Sequence, residues 1–243
     1  MPASSIRAAF YDLDGTLISG NVVRRYAFLA RNHPSRLAAA VRFGKAALGV
    51  PLWLALDAWS RRRFNEVFYR QFRGMRKDWL EQMSGALFEQ VIRPAIYPGA
   101  KELVEGDRAR GCRVVLITGA LDFDLRAVRT HFGFDDVICN SLVYENGVAT
   151  GAMAPPVIAE EGKREALLRY CSRYNVDRTE SWAYADSYAD LAILQAVGRA
   201  VAVNPDRRLR RAALERGWPV LDLRRAKGQV RVPQPEEVTE PRA

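Results

Sequence analysis

The strongest constraint on this chain is one short stretch, the octapeptide FYDLDGTL at positions 10–17. An apolar lead over positions 6–10 predicts a buried strand, and Gly15 then interrupts the extended run. Two carboxylates, Asp12 and Asp14, therefore stand where a strand ends. In open α/β sheets ligands bind at the carboxyl ends of the strands, so the stretch predicts a site at that edge.

The chemistry of the Asp12 and Asp14 pair follows from its charge. Two close carboxylates repel each other unless a hard cation or a shared proton offsets the charge, and Mg²⁺ prefers such oxygen ligands. The pair can also divide the work of phosphoryl transfer, with Asp12 as nucleophile and Asp14 as general acid and base. A turn with two solvated acids, or a calcium loop, remains the alternative. An EF-hand loop, however, needs a later Gly and a late Glu.

Length and composition indicate a globular protein with one core and room for an insertion, since 49% of the 243 residues are hydrophobic. No apolar run precedes the first strand, so we expect no signal peptide and a cytoplasmic protein.

Cys112, Cys139 and Cys171 are far apart and form no C-x-x-C pair, which predicts core thiols and neither disulfides nor zinc. With only two histidines, the chemistry falls to carboxylates and lysine.

The segment 21–92 changes from a strand pattern to a helical one, with apolar residues at intervals of three and four. Pro34 and Pro51 are predicted to break it into separate helices. It holds 13 Lys and Arg against 5 Asp and Glu, a net charge of +8 out of +9 for the chain. Such a segment favours anionic substrates, lipid headgroups or nucleic acid, or is a solvated helical surface.

The stretch 46–59 is the most apolar part of that segment, and basic residues flank it on both sides. It is too short to span a bilayer, which requires about 20 apolar residues. Trp53 and Trp59 with flanking arginines suit a helix that lies in a membrane interface. A buried helix of the insertion, or a dimer contact, is the alternative.

Two further junctions between strands and helices carry polar residues. The strand 113–117 ends in Thr118 and Gly119, and a helix is predicted over 122–132. A hydroxyl and backbone N–H groups at such a junction hold phosphate oxygens, although a simple helix cap has the same residues. Lys163 stands near the start of a helix, where the dipole favours anions. Stabilising a phosphoryl group is one reason for a lysine there, and a surface position is the other.

A further strand, 182–185, ends in a second group of acids. Asp186 is placed to complete a Mg²⁺ site, and Asp190, four residues on, is placed to hold a metal-bound water or Lys163. The apolar pattern predicts two more strands near the C-terminus and an Asn-Gly hairpin over 142–150. The polar tail 224–243 has no apolar period, and we expect it to be disordered.

These four signals occur in a fixed order: the Asp12 stretch, Thr118, Lys163, and Asp186 with Asp190. In residue type and order they closely resemble the four motifs of the haloacid dehalogenase-like superfamily, over positions 6–223. The resemblance implies an α/β fold with a Rossmann-like parallel sheet core and helices on both faces. It assigns 1–20 and 93–223 to that core, and 21–92 to the all-helical cap of the phosphoserine phosphatase-like subgroup.

The resemblance also implies a mechanism, the hydrolysis of a phosphate monoester through an aspartyl phosphate. Asp12 would be the nucleophile and Asp14 the acid and base, while Lys163 would steady negative charge. Mg²⁺ would bind Asp12, the Asp14 carbonyl and Asp186. The other residues that it implies bind phosphoryl oxygens or support the site: Thr118, Gly119, Thr16, Ser187 and Asp190. The expected partner is a small phosphorylated substrate.

The substrate is less constrained than the chemistry. The subgroup's Glu that binds the serine ammonium falls on Asn21, and a neutral amide would lose a charge-assisted bond worth roughly 1.5 to 3 kcal/mol. The subgroup's Ser-Gly-Gly-Phe falls on 118–121, here Thr-Gly-Ala-Leu. One alternative is a lipid-phosphate phosphatase of the phosphatidylglycerophosphate type, with weak contact between its basic cap and an anionic membrane. A non-catalytic anion-binding relative is another. Nucleic-acid binding is not expected, because charge is its only support.

Overall fold

A computed structural model describes residues 5–225 of the chain. Its strands, in chain order, are β1 (Ala8–Tyr11), β2 (Arg113–Leu121), β3 (Asp136–Asn140), β4 (Leu142–Glu145), β5 (Val148–Met153), β6 (Trp182–Ala185), β7 (Arg199–Val203) and β8 (Val220–Leu221). Its α-helices are α1 (Val22–Arg31), α2 (Arg36–Trp59), α3 (Arg61–Phe68), α4 (Lys77–Leu87), α5 (Ala100–Ala109), α6 (Arg126–Phe132), α7 (Glu161–Tyr174), α8 (Leu191–Leu194) and α9 (Arg207–Glu215).

The tail that the sequence predicts to be disordered, 224–243, lies outside the described residues except for its first two positions. Those two belong to a short 3₁₀ helix over Leu223–Arg225.

Six strands form one parallel sheet in the order β3-β2-β1-β6-β7-β8. The chain leaves β1 toward β2 and β3 on one side and later returns to β6, β7 and β8 on the other. β1 therefore stands at the switch point of the sheet, where ligands bind in open α/β folds. The remaining strands, β4 and β5, form the predicted antiparallel hairpin, with Asn146 and Gly147 at positive φ in its turn.

Both faces of the sheet are covered, as the resemblance implies. Alternate residues of β1 enter two separate apolar clusters, with Ala9 and Tyr11 in one and Ala8 and Phe10 in the other. The first cluster includes side chains of α5 and α6, and the second includes side chains of α7, α8 and α9. The predicted α/β class, with a parallel sheet and helices on both faces, is confirmed.

The segment 21–92 is helical, as predicted, and its apolar side chains join the cluster on the α5 and α6 face. Trp53 of α2 is buried and meets the ring of Phe68 at 4.9 Å between centroids. No helix within 5–225 has both the length and the apolarity that crossing a bilayer requires. The division into a core and a cap stays a prediction.

The prediction that Pro51 ends a helix is wrong. Pro51 lies inside α2, which continues to Trp59. Proline removes one backbone donor, but the buried Trp53 packs against α3 and helps hold the helix in place. Pro34, by contrast, lies between α1 and α2 as predicted, directly before Ser35, whose side chain caps α2.

The helix predicted over 122–132 is divided in the structure into a 3₁₀ helix over Asp122–Asp124 and α6. β2 continues through Leu121, so Thr118 and Gly119 lie within the strand, and α6 begins only at Arg126. The register between β2 and β3 shifts between Ile117 and Leu121, so that the strand stays paired beyond an irregularity. Such irregularities redirect side chains and occur next to active sites.

The three cysteines are unpaired, as predicted. Cys112 and Cys171 are buried, and Cys139 is half-buried. Burial raises the pKa of the Cys171 thiol to about 11, which keeps it protonated and unreactive at neutral pH.

A buried carboxylate, Asp107 of α5, stabilises the central strand from outside the site. It is fully buried and accepts hydrogen bonds from the Tyr11 hydroxyl and from Arg110. Tyr11 is the last residue of β1 and directly precedes Asp12. The Tyr11 hydroxyl also lies 3.4 Å from the Leu103 carbonyl, a long contact.

We expect Asp107→Ala to lower the free energy of unfolding by about 1–3 kcal/mol, because it leaves buried donors without their acceptor. Glu105→Ala is the matched control on the same helix, since Glu105 is 57% exposed and its ion pair is with exposed Lys101. The control should change stability by less than about 0.5 kcal/mol. Urea unfolding measures both, and equal effects would contradict the role of Asp107.

Candidate active site

A small cavity lies at the carboxyl ends of β1, β2 and β6 and brings the four sequence signals together. Eight of the nine residues that the sequence singled out line it: Asp12, Asp14, Thr118, Gly119, Lys163, Asp186, Ser187 and Asp190. The ninth, Thr16, is fully buried behind it and donates to Asp186 Oδ1 at 3.2 Å. Parallel strands place their ends at one edge, which is why residues far apart in sequence meet here.

Lys163 is the cation of the cavity floor. It is 4% exposed, and its Nζ donates to Asp12 Oδ1 at 2.7 Å and lies 2.8 Å from Asp190 Oδ1. Burial lowers the pKa of Lys163, but the two carboxylates outweigh it and raise the pKa above its ordinary value. Of the two roles considered for Asp190, the structure shows the contact with Lys163. A surface position for Lys163 is excluded.

Burial raises the pKa values of two carboxylates in the cavity, and Lys163 only partly opposes this shift. Desolvation raises the pKa of Asp12 to about 6, although Lys163 opposes the shift. Desolvation, followed by the charges of Asp12 and Asp190, raises the pKa of Asp186 well above its usual range. Lys163 and Arg61, which also lines the cavity, lower the pKa of Asp186 but do not reverse this shift, and a bound cation would favour the ionised carboxylates.

The same carboxylates fit a hard divalent cation. One oxygen from each of Asp12, Asp186 and Asp190 lies within 4.8 Å of the others. Mg²⁺ typically takes one or two carboxylates and completes its shell with water and phosphate oxygens, so these residues suit it. The carboxylate of Asp14 does not belong to this group.

Gly15 allows the loop after β1 to approach Asp186. Its φ is +87°, and a Cβ at this position would lie 2.0 Å from Asp186 Oδ2. Asn204 fixes the same loop, since its Nδ2 donates to the carbonyls of Gly15 at 3.0 Å and of Thr16 at 3.3 Å. The backbone N–H of Leu223 donates in turn to Asn204 Oδ1 at 2.7 Å. Sequence reasoning missed Asn204.

Thr118 and Gly119 form the wall that β2 contributes. Thr118 is 1% exposed, and its Oγ1 accepts from the N–H of Ala120 at 3.2 Å. The Gly119 carbonyl accepts from the Tyr69 hydroxyl at 2.7 Å and from Asn140 Nδ2 at 2.8 Å. The Gly119 carbonyl is thus fixed by one donor from the helical segment and by one donor from β3.

Ser187 helps to shape the turn that carries Asp186 and Asp190. Its Oγ accepts from the N–H of Ala189 at 3.3 Å and caps the short helical turn there. The carbonyl of Asp186 accepts from the N–H of Asp206 at 2.8 Å, which ties the turn to the loop after β7.

Asp14 points to a second charged centre that the sequence did not reveal. Both of its oxygens accept from Arg25 of α1, each at 2.7 Å. Arg25 Nε also lies 3.2 Å from Asp124 Oδ2, and both Arg25 and Asp124 are buried. Burial lowers the pKa of Arg25, but the two carboxylates raise it above its ordinary value. Burial raises the pKa of Asp124 to about 7, against the opposing effect of Arg25.

The missed residues share a signal that a sequence could carry. Asn140 is the last residue of β3, and Asn204 directly follows β7, so both are polar residues at strand ends. Arg25 falls on the apolar face of α1, three residues after Val22 and four before Leu29. An arginine at a position that should be buried indicates a partner of opposite charge.

We expect Arg25→Met to lower the free energy of unfolding by about 3–5 kcal/mol, because it leaves Asp14 and Asp124 without their cation. The double variant Arg25→Met/Asp124→Leu should regain much of that loss, since it removes the buried carboxylate as well. Arg24→Met, an exposed neighbour on α1, is the control and should change little. Thermal and urea unfolding measure all three. A double variant as unstable as the single one would contradict the assignment.

Comparison with known proteins places this geometry in a family. The family model of haloacid dehalogenase-like hydrolases matches residues 9–195. The phosphoserine phosphatase SerB1 of Mycobacterium tuberculosis is 29% identical over 246 residues, which cover 96% of this chain and 76% of the relative.

Solved structures have the same fold. A protein of unknown function from Bordetella pertussis Tohama I superposes with a TM-score of 0.79 at 25% identity, covering 90% of this chain and 100% of its own. A substrate-bound phosphoserine phosphatase superposes with a TM-score of 0.68 at 17% identity, covering 91% of this chain and 96% of its own. Because the family model covers most of the sequence and the motif residues meet in one cavity, the chain belongs to the haloacid dehalogenase-like hydrolases.

Proposed function

We propose that this hydrolase is a Mg²⁺-dependent phosphatase that cleaves a small phosphate monoester through an aspartyl phosphate on Asp12. The observation that carries the proposal is the contact between Lys163 and Asp12 at 2.7 Å on the floor of the cavity. A buried carboxylate held by one ammonium, beside Thr118 and Gly119, suits attack on a phosphorus atom whose oxygens need positive and N–H partners. The similarity to phosphoserine phosphatases supports the same reaction class.

In the proposed reaction an oxygen of Asp12 attacks phosphorus and the alcohol leaves with a proton from Asp14. Water then attacks the aspartyl phosphate, gives a proton to Asp14, and releases phosphate and free Asp12. Lys163 stabilises the negative charge at both steps. A bound Mg²⁺, held by Asp12, Asp186 and the Asp14 carbonyl, would supply positive charge beside the phosphoryl oxygens.

The role of Asp14 requires it to move. Both of its oxygens are engaged by Arg25 in the described structure, so proton transfer needs at least one of these bonds to break. Arg25 would retain Asp124 as a partner at 3.2 Å when Asp14 turns toward the substrate. This supports Arg25 as a positioning residue for Asp14.

The segment 21–92 is proposed as the cap that selects the substrate. Four of its residues line the cavity: Asn21, Arg61, Asn65 and Tyr69. Asn65 is 3% exposed, and its Nδ2 is buried without a hydrogen-bond partner, so it has a donor to offer to a ligand. The cavity volume of about 50 Å³ favours a small substrate, and the free Asn65 donor favours one that offers an oxygen acceptor. Phosphoserine is the first candidate, because relatives of that name are similar to this chain.

The lipid-phosphate alternative receives no support from these relatives, none of which is named as a lipid phosphatase. A relative that only binds anions is disfavoured, because Asp12, Lys163 and Asp186 all face one cavity. A soluble monoester is therefore the substrate class to test first.

The deciding experiment measures phosphate release from L-phosphoserine and p-nitrophenyl phosphate, with Mg²⁺ and with EDTA. We expect EDTA to abolish turnover and Asp12→Asn to lower it by at least about 10³-fold, since the nucleophile is lost while its shape is kept. Acid-quenched wild type should carry the mass of one phosphoryl group on the peptide containing Asp12. Asp122→Asn, an exposed carboxylate outside the cavity lining, should stay within twofold of wild type. Near-normal rates in Asp12→Asn would contradict the covalent route.

A second prediction concerns Lys163 and separates catalysis from a merely structural role. Lys163→Ala should lower kcat by about 10²–10³-fold, as the loss of one preorganised charge-stabilising group does. The stability of this variant should fall too, because Asp12 and Asp190 lose their cation, so rates are measured well below its Tm. Lys77→Ala, 56% exposed in the same chain, serves as the control. A small change in kcat with a large loss of Tm would leave Lys163 only a structural role.

A further inference from the structure

The apolar stretch that the sequence singled out lies in α2, and the function proposed above does not use it. α2 is apolar on two opposite sides. One side is packed, with Trp53 3% exposed against Phe68. A helix that is apolar all round is ordinarily buried all round, yet the other side of α2 faces solvent.

The exposed side forms a continuous apolar stripe along the helix. Its large members are 77%, 47%, 84%, 54% and 78% exposed: Leu37, Val41, Leu48, Leu52 and Trp59. At 100° per residue they fall within about 60° of one another, and they extend over about 33 Å. The smaller residues between them are also exposed and uncharged: Gly44, Pro51 and Ala55. We call these eight residues the α2 stripe.

The concentration of exposed apolar side chains on one helix is unusual for the described part of the chain. Of the nine large apolar residues that are exposed there, seven belong to α2. Scattered exposed leucines need no explanation, but a contiguous exposed patch marks an interaction site.

The charges around the α2 stripe decide what kind of partner fits. Arg36 stands at the start of α2, Lys45 at the edge of the stripe, and arginines at 61–63 directly after its end. The acids nearby include Asp57 in the sequence of α2, Glu160, which accepts from Ser60 Oγ at 3.0 Å, and Glu66, which pairs with Arg62 and Arg63. Apolar residues flanked by basic ones, with tryptophan at the boundary, are typical of a helix that lies in the interface of an anionic bilayer.

A second copy of the chain fits less well. A twofold contact through the α2 stripe would bring the same surface of two chains together. It would also bring two segments with a net charge of +8 each against one another. Anionic lipid headgroups neutralise this charge, whereas a second copy doubles it.

We propose that the α2 stripe docks this phosphatase on the surface of an anionic lipid bilayer. Trp59 and the leucines enter the boundary between headgroups and acyl chains, while Arg36, Lys45, Arg62 and Arg63 contact phosphate groups. Trp53, which the sequence placed with Trp59 in the interface, points into the protein and takes no part. The docking is independent of whether the substrate is soluble or a lipid.

The test is sedimentation of the full chain with vesicles of equal parts phosphatidylglycerol and phosphatidylcholine, and with vesicles of phosphatidylcholine alone. Wild type should bind the anionic vesicles at least tenfold more strongly than the neutral ones. Leu48→Glu/Leu52→Glu should lose at least tenfold of that binding and keep its hydrolysis of a soluble ester. Leu37→Glu, at the other end of the α2 stripe, should also weaken binding. It tests the same surface independently, in case the double variant misfolds.

Phe43→Glu is the matched control, because Phe43 is 55% exposed on the same helix but lies roughly 140° around it from Leu48. It should bind within twofold of wild type. The proposal is overturned if wild type does not bind the anionic vesicles, or if Phe43→Glu loses as much as the stripe variants. It is also overturned if light scattering shows a dimer that Leu48→Glu/Leu52→Glu dissociates, since a second copy then covers the stripe. Failure of the phosphatase assay leaves this test unaffected.

Discussion

The charge at the carboxyl edge of the sheet controls the rest of the site. Asp12, Asp186 and Asp190 converge there, and Lys163 is the ammonium that contacts two of them. Gathering like charges in a desolvated place is unfavourable, as the raised pKa values of Asp12 and Asp186 record. The fold tolerates this because the strand ends and their loops are held from outside. A bound cation would offset the repulsion between these carboxylates and would attract phosphate oxygens to the same edge.

A second charged centre connects the helical segment with the sheet. Arg25 of α1 contacts Asp14 on the loop after β1 and Asp124 after β2, so one buried guanidinium joins three parts of the chain. Removing a single partner from such a group costs more than replacing the whole group with apolar residues. The main effect of this charged group is therefore to position Asp14, and its net contribution to the stability of the fold is small. It places the carboxylate proposed as acid and base under the control of the segment proposed as cap.

Much of the fold could be predicted from local patterns. Apolar runs that end in Asp12, Thr118 and Asp186 indicated the central parallel strands, and the Asn-Gly pair at 146–147 indicated the hairpin. These features are readable because burial on both faces demands continuous apolar strands, and a tight hairpin turn demands positive φ. The errors fell where tertiary contacts overrule local propensity, in α2 at Pro51 and in β2 beyond Ile117.

By itself the sequence determined the order of the strand-end residues, the family they indicate, and the chemistry proposed for Asp12 and Lys163. Those depend on residue type and on position along one strand or helix, which are local properties. The tertiary structure alone decided that Arg25 holds Asp14, that Asn204 fixes the loop after β1, and which side of α2 faces solvent. Each of these is a contact, or the lack of one, between segments far apart in the chain. A periodic pattern shows that a helix has an apolar face but does not show whether anything covers it.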